Sequence, residues 1–179
     1  VGITARVFGD LRALATVDVA TGDELLFDRG SLRLAVHASC AIPGLMEPVA
    51  VSGRRALDGG WADKVPAGPA RELGAECVVA VDVSDELADT RDLQSGLDMV
   101  HRGDALRSHR LKSIQLRDAD LVIACDLTRF GWADFELASE IVDAGREAAR
   151  AALPRVVAAL EASGALRSRG LRALERCAR

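Results

Sequence analysis

The sequence predicts an α/β fold with a mostly parallel central sheet flanked by helices. Three observations carry that prediction. Residues 77–83 (CVVAVDV) and 121–125 (LVIAC) are nearly continuous apolar runs bounded by charge, the pattern of strands buried on both faces. A helical stretch at 97–116 lies between them, and strand–helix–strand order implies a right-handed crossover in a parallel sheet. At 179 residues, with 49% hydrophobic and 28% charged, the chain suits one globular domain with a real core.

The elements follow in order. Residues 11–19 (LRALATVDV) have the apolar content of a strand, Thr21-Gly22-Asp23 makes a turn, and 24–28 (ELLFD) returns as the partner of a hairpin. Gly30-Ser31 opens a short helix, with Ser31 as N-cap and Leu34, Ala35, Ala38 and Ala41 on one face; Pro43-Gly44 ends it. Residues 47–51, a Ser52-Gly53 turn and 54–57 form a second hairpin. It delivers Asp58, with Gly59 and Gly60 letting the backbone turn sharply at the strand's end. Pro66 or Pro69 starts a helix closed by Gly74. Residues 85–91 are acidic and loop-like. Beyond Phe130 the chain turns helical, with apolar residues at Phe135, Ala138, Ile141, Val142 and Ala149, and Pro154 breaks or restarts that helix.

The domain is expected to span 1–163, leaving a helical or frayed basic tail at 164–179. There Arg167, Arg169, Arg172, Arg176 and Arg179 stand against Glu175 alone. With Leu171 and Leu174 together, such a tail reads either as a peripheral contact to an anionic membrane or as a solvated terminus.

Several function classes are disfavoured. A net charge of −4, 3% aromatics and no Tyr leave neither a basic field for phosphates nor stacking platforms, so no nucleic-acid partner is expected. Cys40, Cys77, Cys125 and Cys177 are far apart with no CxxC spacing, which argues against a zinc site or disulfide framework and for a reducing, cytoplasmic setting. No apolar run approaches the ~20 residues that span a bilayer. The chain opens Val1-Gly2-Ile3 and reads as a piece that starts mid-protein.

Among candidate site residues, Asp58 has two readings. Asp-Gly is a common turn dipeptide. A carboxylate at a strand end, where α/β sheets bind ligands, also suits a functional role. His37 reads as a packed or surface side chain on a short helix. His101 and His109, eight residues apart, share a helix face but lack convergent metal ligands, so no metal and no cofactor are expected. Asp18, Asp82 and Asp126 read as turn or capping groups.

The order of motifs resembles the patatin-like phospholipase family, in its bacterial branch. The resemblance is carried by 15–22 (ATVDVATG), 38–48 (ASCAIPGLMEP), 57–66 (LDGGWADKVP) with 73–83 (LGAECVVAVDV), and 119–145 with its strand DADLVIACDL. It covers roughly the first 150 residues. The resemblance implies a three-layer α/β fold and a Ser–Asp dyad that hydrolyses lipid acyl esters. The Asp-Gly-Gly element Asp58-Gly59-Gly60 would supply the aspartate, and Ser39 falls on a structural Ala-Ser pair. The family's GxSxG nucleophile elbow is not found at any serine, Ser31 and Ser52 included, and the oxyanion glycines are missing too. The expectation is therefore a domain whose N-terminal part is missing: it keeps the aspartate, lacks the nucleophile and is inactive alone. The alternative is a catalytically dead patatin-like binding or assembly module. Loss of neighbouring elements would also leave apolar surface and an open sheet edge, so self-association is expected.

Overall fold

A computed structural model describes residues 3–5, 12–84, 95–130 and 134–164. The chain forms strands β1 (Ile3–Ala5), β2 (Arg12–Asp18), β3 (Glu24–Phe27), β4 (Val49–Val51), β5 (Arg54–Asp58), β6 (Val79–Asp82) and β7 (Leu121–Ala124). Its helices are α1 (Leu32–Ser39), α2 (Ala67–Glu72), α3 (Gly96–Gln115) and α4 (Ala138–Ala162), with short 3-10 turns at Gly59–Trp61, Leu116–Asp118 and Phe135–Leu137.

The α/β class stands, and β6 pairs with β7 in parallel across α3, as the apolar runs predict. The balance of pairing differs from the expected mostly parallel sheet. The larger sheet, β1-β2-β5-β4 with β3 on the other edge of β2, is antiparallel at every pairing. The reason is local. Gly22 at φ 77° closes the β2–β3 turn, and Ser52 and Gly53 at φ 51° and 79° close the β4–β5 turn, as tight hairpins require. Connections this short return antiparallel, whereas a parallel pair needs a crossover helix.

Burial on both faces also falls elsewhere than the apolar runs suggest. From Ala13 to Asp18 every residue of β2 is buried. In β6 only alternate residues are covered: Ala80 and Asp82 are buried, while Val81 and the following Val83 are 53% and 60% exposed. On the Val81 face the exposure is confined to β6 and its end, since Ile123, paired with Val81 in β7, is buried.

α1 packs on the antiparallel sheet through small residues. Ala38, Ala41, Val49 and Ala56 form the core there, flanked by Phe27, Val51 and Leu57. Alanines let the helix backbone approach closely, so the fully buried Ser39 Oγ donates to the Ala15 carbonyl of β2 at 2.8 Å. Ser31 caps α1, accepting from the Leu34 amide as its sequence position predicts. Leu34, expected on the buried face, is 38% exposed; its neighbours Ala35 and Ala38 carry the packing.

A second core of Ala67, Ala70 and Val78, with Ala75 and Ala119, seats α2 near the start of β6. Gly74, at φ 88°, ends that helix where the sequence places its stop. Arg71 ties the region together, pairing with Asp120 and donating to the carbonyls of Asp118, Ala75 and Glu76.

Pro154 does not break the last helix: α4 runs unbroken from Ala138 to Ala162. Pro154 lies exposed, so the Arg150 carbonyl freed by the missing N–H faces the solvent side. The covered stripe of α4 is Ile141, Ala144, Ala148, Ala152 and Val156, at helical spacing, with Ala152 buried and the others half-buried, and α4 packs on β7. Of the apolar residues read there from the sequence, Ile141 lies on this stripe, while Phe135, Ala138, Val142 and Ala149 are exposed. The basic tail and the acidic 85–91 stretch lie outside the described residues. Among the described residues no helix is long and apolar enough to cross a membrane.

Candidate functional site around Asp58

The β4–β5 hairpin delivers Asp58 to the last position of β5, directly opposite Thr16 of the central strand β2. Beyond that pairing, two hydrogen bonds hold it, one through its backbone and one through its side chain. The Asp58 amide donates to the Ala41 carbonyl at 3.0 Å, just beyond α1. Its Oδ1 accepts from the Gly60 amide at 2.8 Å, capping the 3-10 turn that follows. Among the described residues no hydrogen bond reaches Oδ2. The residue is half-buried, so one carboxylate oxygen is held and the other is open to a partner.

Gly59 and Gly60 are needed for a reason the sequence reading did not identify. Neither adopts a left-handed conformation. Gly59 presses against β2: a Cβ there would lie 2.3 Å from the Ala15 carbonyl oxygen and 2.5 Å from its carbon. Only a residue without a side chain permits that approach. At Gly60 a Cβ would meet Asp58 Oδ1 at 3.2 Å, close to the atom its own amide serves. The Asp-Gly-Gly sequence thus sets a strand end, a close approach and a carboxylate cap in three consecutive residues.

The loop beyond is equally well tied. The amides of Ala62 and Asp63 donate to the Gly59 carbonyl at 2.9 and 2.8 Å, and buried Asp63 accepts from the Val65 amide at 3.0 Å. Burial pushes the Asp63 carboxyl up, the Val65 amide pulls it down, and the charge of Asp118 adds to the rise. Glu24, at the start of β3, has an Oε1 that is buried without a hydrogen-bond partner. Burial and the charges of Asp63 and Glu72 raise its pKa from an ordinary 4.5 to about 7. This acidic group was not singled out from the sequence, because Glu24, Asp63, Glu72 and Asp118 converge only in three dimensions.

The other candidates resolve into structural roles. Asp18 accepts from the Ala20 amide at 2.9 Å and from Arg54 at 3.3 Å, and Asp126 accepts from Thr128. Asp82 accepts from Ser84 and pairs with Lys112 Nζ at 2.9 Å, joining β6 to α3. Burial raises the Asp82 pKa, but Ser84 and Lys112 hold it below the ordinary carboxylate value. All three are the turn and cap groups their positions suggest. His37 and His109 are exposed, and the His101 side chain lies outside the described residues. No His, Cys, Asp or Glu group among the described residues has metal-binding geometry. Cys40, Cys77 and Cys125 are free thiols, and burial pushes Cys77 and Cys125 up, away from the reactive thiolate. Ser39, fully buried and committed to Ala15, is out of reach of any substrate.

Residues 3–71, which contain β1 to β5, α1 and the Asp58 turn, match the family model described as Patatin-like phospholipase. The match covers the N-terminal part of the chain and supports the resemblance to that family. An uncharacterized NTE family protein of Mycobacterium tuberculosis is 39% identical over 83 residues, 46% of this chain and 23% of the relative. A second such protein from that organism is 28% identical over 162 residues, covering 77% of this chain and 28% of the relative. The mouse patatin-like phospholipase domain-containing protein 7 is 34% identical over 93 residues, 51% of this chain and 6% of the relative. The chain thus spans under a third of each of these relatives.

Proposed function

We propose that this patatin-like chain supplies Asp58 as the proton-accepting half of a Ser–Asp dyad that hydrolyses lipid acyl esters. The observation that carries the reading is the Asp58 carboxylate itself, with Oδ1 held by the Gly60 amide and Oδ2 open at the end of β5. In the reaction a serine Oγ–H gives its proton to the carboxylate as Oγ attacks the ester carbonyl. The same proton then passes to the departing alkoxide, and water releases the acyl group by the reverse route. Lipid is the substrate class because the family is a phospholipase family. The serine comes from outside these 179 residues, since none of their serines stands in a GxSxG elbow.

Intact-mass analysis after fluorophosphonate treatment tests this. The chain alone is expected to keep its mass. A stoichiometric adduct would place an activated serine within it and overturn the split-dyad reading. Where the polypeptide tested also carries the serine, Asp58→Asn is expected to lower ester turnover by a factor on the order of 10²–10⁴, the usual contribution of a general base.

We further propose that the exposed apolar surface drives self-association. Leu32, Val36 and Leu45 are 57%, 40% and 64% exposed around α1, and Val81 and Val83 are exposed at the end of β6. Sedimentation velocity is expected to show concentration-dependent species larger than the 18.9 kDa monomer. A single monomeric boundary at all concentrations would count against it.

A further inference from the structure

The Asp58 turn is gripped from outside its own sheet by α3, a helix far away in sequence. Gln115, in the last turn of α3, spans the loop with both ends of its amide. Its Nε2 donates to the Ala62 carbonyl at 3.1 Å, and its Oε1 accepts from the Lys64 amide at 3.1 Å. Eight residues earlier, about two helical turns, Arg107 lies over the Trp61 ring, 5.7 Å from its centroid. Its Nη1 also donates to the Trp61 carbonyl at 3.4 Å, and Asp104 holds the same guanidinium at 2.7 Å.

The grip matters because of what lies upstream of it. Residues 59–64 carry the amide that holds Asp58 Oδ1, the Gly59 backbone pressed on β2, and the Gly59 carbonyl that accepts from Ala62 and Asp63. Gln115 and Arg107 hold the downstream end of this short run at three backbone positions, 61, 62 and 64. A planar amide that donates and accepts at once fixes both the distance and the rotation of the strand it bridges. The guanidinium stack adds a second point.

α3 is itself anchored. Lys112 reaches Asp82 at 2.9 Å and Ser84 Oγ at 2.7 Å from a largely buried position, joining the helix to the end of β6. Ser108, Lys112 and Gln115 are buried or half-buried on α3 together with Leu111, while Met99, Leu106 and Ile114 are exposed. The contacts of Lys112 and Gln115, with their directional geometry, tie α3 to the end of β6 and to the 62–64 loop.

We propose that Gln115, assisted by Arg107, is a positioning residue for Asp58: α3 holds the 59–64 run so that the Gly60 amide keeps Oδ1 fixed and Oδ2 presented. The inference deepens the reading of Asp58 as the dyad carboxylate and rests on it for its functional meaning. Its structural content is tested without any activity. Amide hydrogen exchange resolved by NMR is measured on the chain and on Gln115→Ala, Gln115→Glu and Arg107→Ala.

In Gln115→Ala the Lys64 amide loses its acceptor and exchanges faster. The deciding signal is the Gly60 amide, which Gln115 does not touch. Its protection is expected to fall about tenfold in Gln115→Ala and by a smaller factor in Arg107→Ala, while the β2–β3 hairpin amides keep theirs. Gln115→Glu retains an acceptor for Lys64 but cannot donate to Ala62, so it is expected to restore Lys64 protection and only part of that at Gly60. Faster exchange at Lys64 with Gly60 unchanged would overturn the inference, because the clamp would then end at the loop. If Gln115→Ala unfolds outright, Arg107→Ala decides, since its guanidinium lies at the surface and its loss leaves the core intact. Full ester turnover in Asp58→Asn would instead sink the dyad reading and leave the exchange result standing.

Discussion

Gly59→Ala is expected to cost about 3 kcal/mol or more and to lower Tm by roughly 6–12 °C, if the chain folds at all. The new methyl would lie 2.3 Å from the Ala15 carbonyl oxygen and 3.0 Å from the Thr16 amide nitrogen. Neither atom can move aside by a rotamer change. Both are backbone atoms of β2, the strand paired with β1, β3 and β5, and relief requires β5 to part from it. That parting also disturbs the Thr16–Asp58 pairing, so the damage reaches the carboxylate. Gly60→Ala is the control. Its methyl meets Asp58 Oδ1 at 3.2 Å, a side-chain atom that can give way, and an ordinary cost of about 1 kcal/mol is expected. Thermal melts followed by circular dichroism compare the two. A Gly59→Ala melt within 2 °C or so of the parent would show that Gly59 is not pressed against β2.

Glu24→Gln is expected to stabilise the protein at pH 8 and to leave it nearly unchanged at pH 4.5. In the folded chain Glu24 holds its proton up to about pH 7, against an ordinary 4.5, because burial and the neighbouring carboxylates of Asp63 and Glu72 disfavour its charge. A folded-state pKa raised in this way gives stability that is fully present below about 4.5 and is lost as pH rises through about 7. Above that, an ionised carboxylate must sit with a buried, unpartnered oxygen beside two like charges. Solvent on its exposed side screens part of the penalty, and about 1–2 kcal/mol is expected to remain. Asp63 shifts in the same direction; Asp82 and Asp120 shift downward, so their contribution is lost only at more acid pH. Parent stability should therefore decline between pH 5 and 8, and the glutamine variant should flatten that slope. Equal slopes in urea melts across the range would rule Glu24 out as the source.

The elements that the sequence made legible share a cause. Ser31, Gly22, Ser52-Gly53 and Gly74 act through their own backbone and their nearest neighbours, so each local signal led to the right cap, turn or stop. The helix between the two apolar runs implied a parallel pair, and β6 and β7 are one. The errors arose where the outcome depends on which surface packs against which. Pro154 stays within α4 because it faces solvent, and of the apolar positions read in that helix only Ile141 lies on the covered stripe, because many alanines fit more than one face. The sequence placed two-sided burial in β6, while the structure places it in β2, because burial follows from the neighbours a strand acquires.

The candidate site divides along the same line. By itself the sequence determined that Asp58 stands at a strand end followed by two glycines, and its motifs carried the patatin-like resemblance that residues 3–71 bear out. Only the tertiary structure decided why Gly59 must be glycine, since Ala15 comes against it from a strand more than forty residues earlier. It also decided that Gln115 and Arg107 hold the turn and that Glu24 lies among carboxylates. Local dihedral preference is written residue by residue, whereas close approach, convergent hydrogen bonds and desolvation exist only once distant segments share a volume.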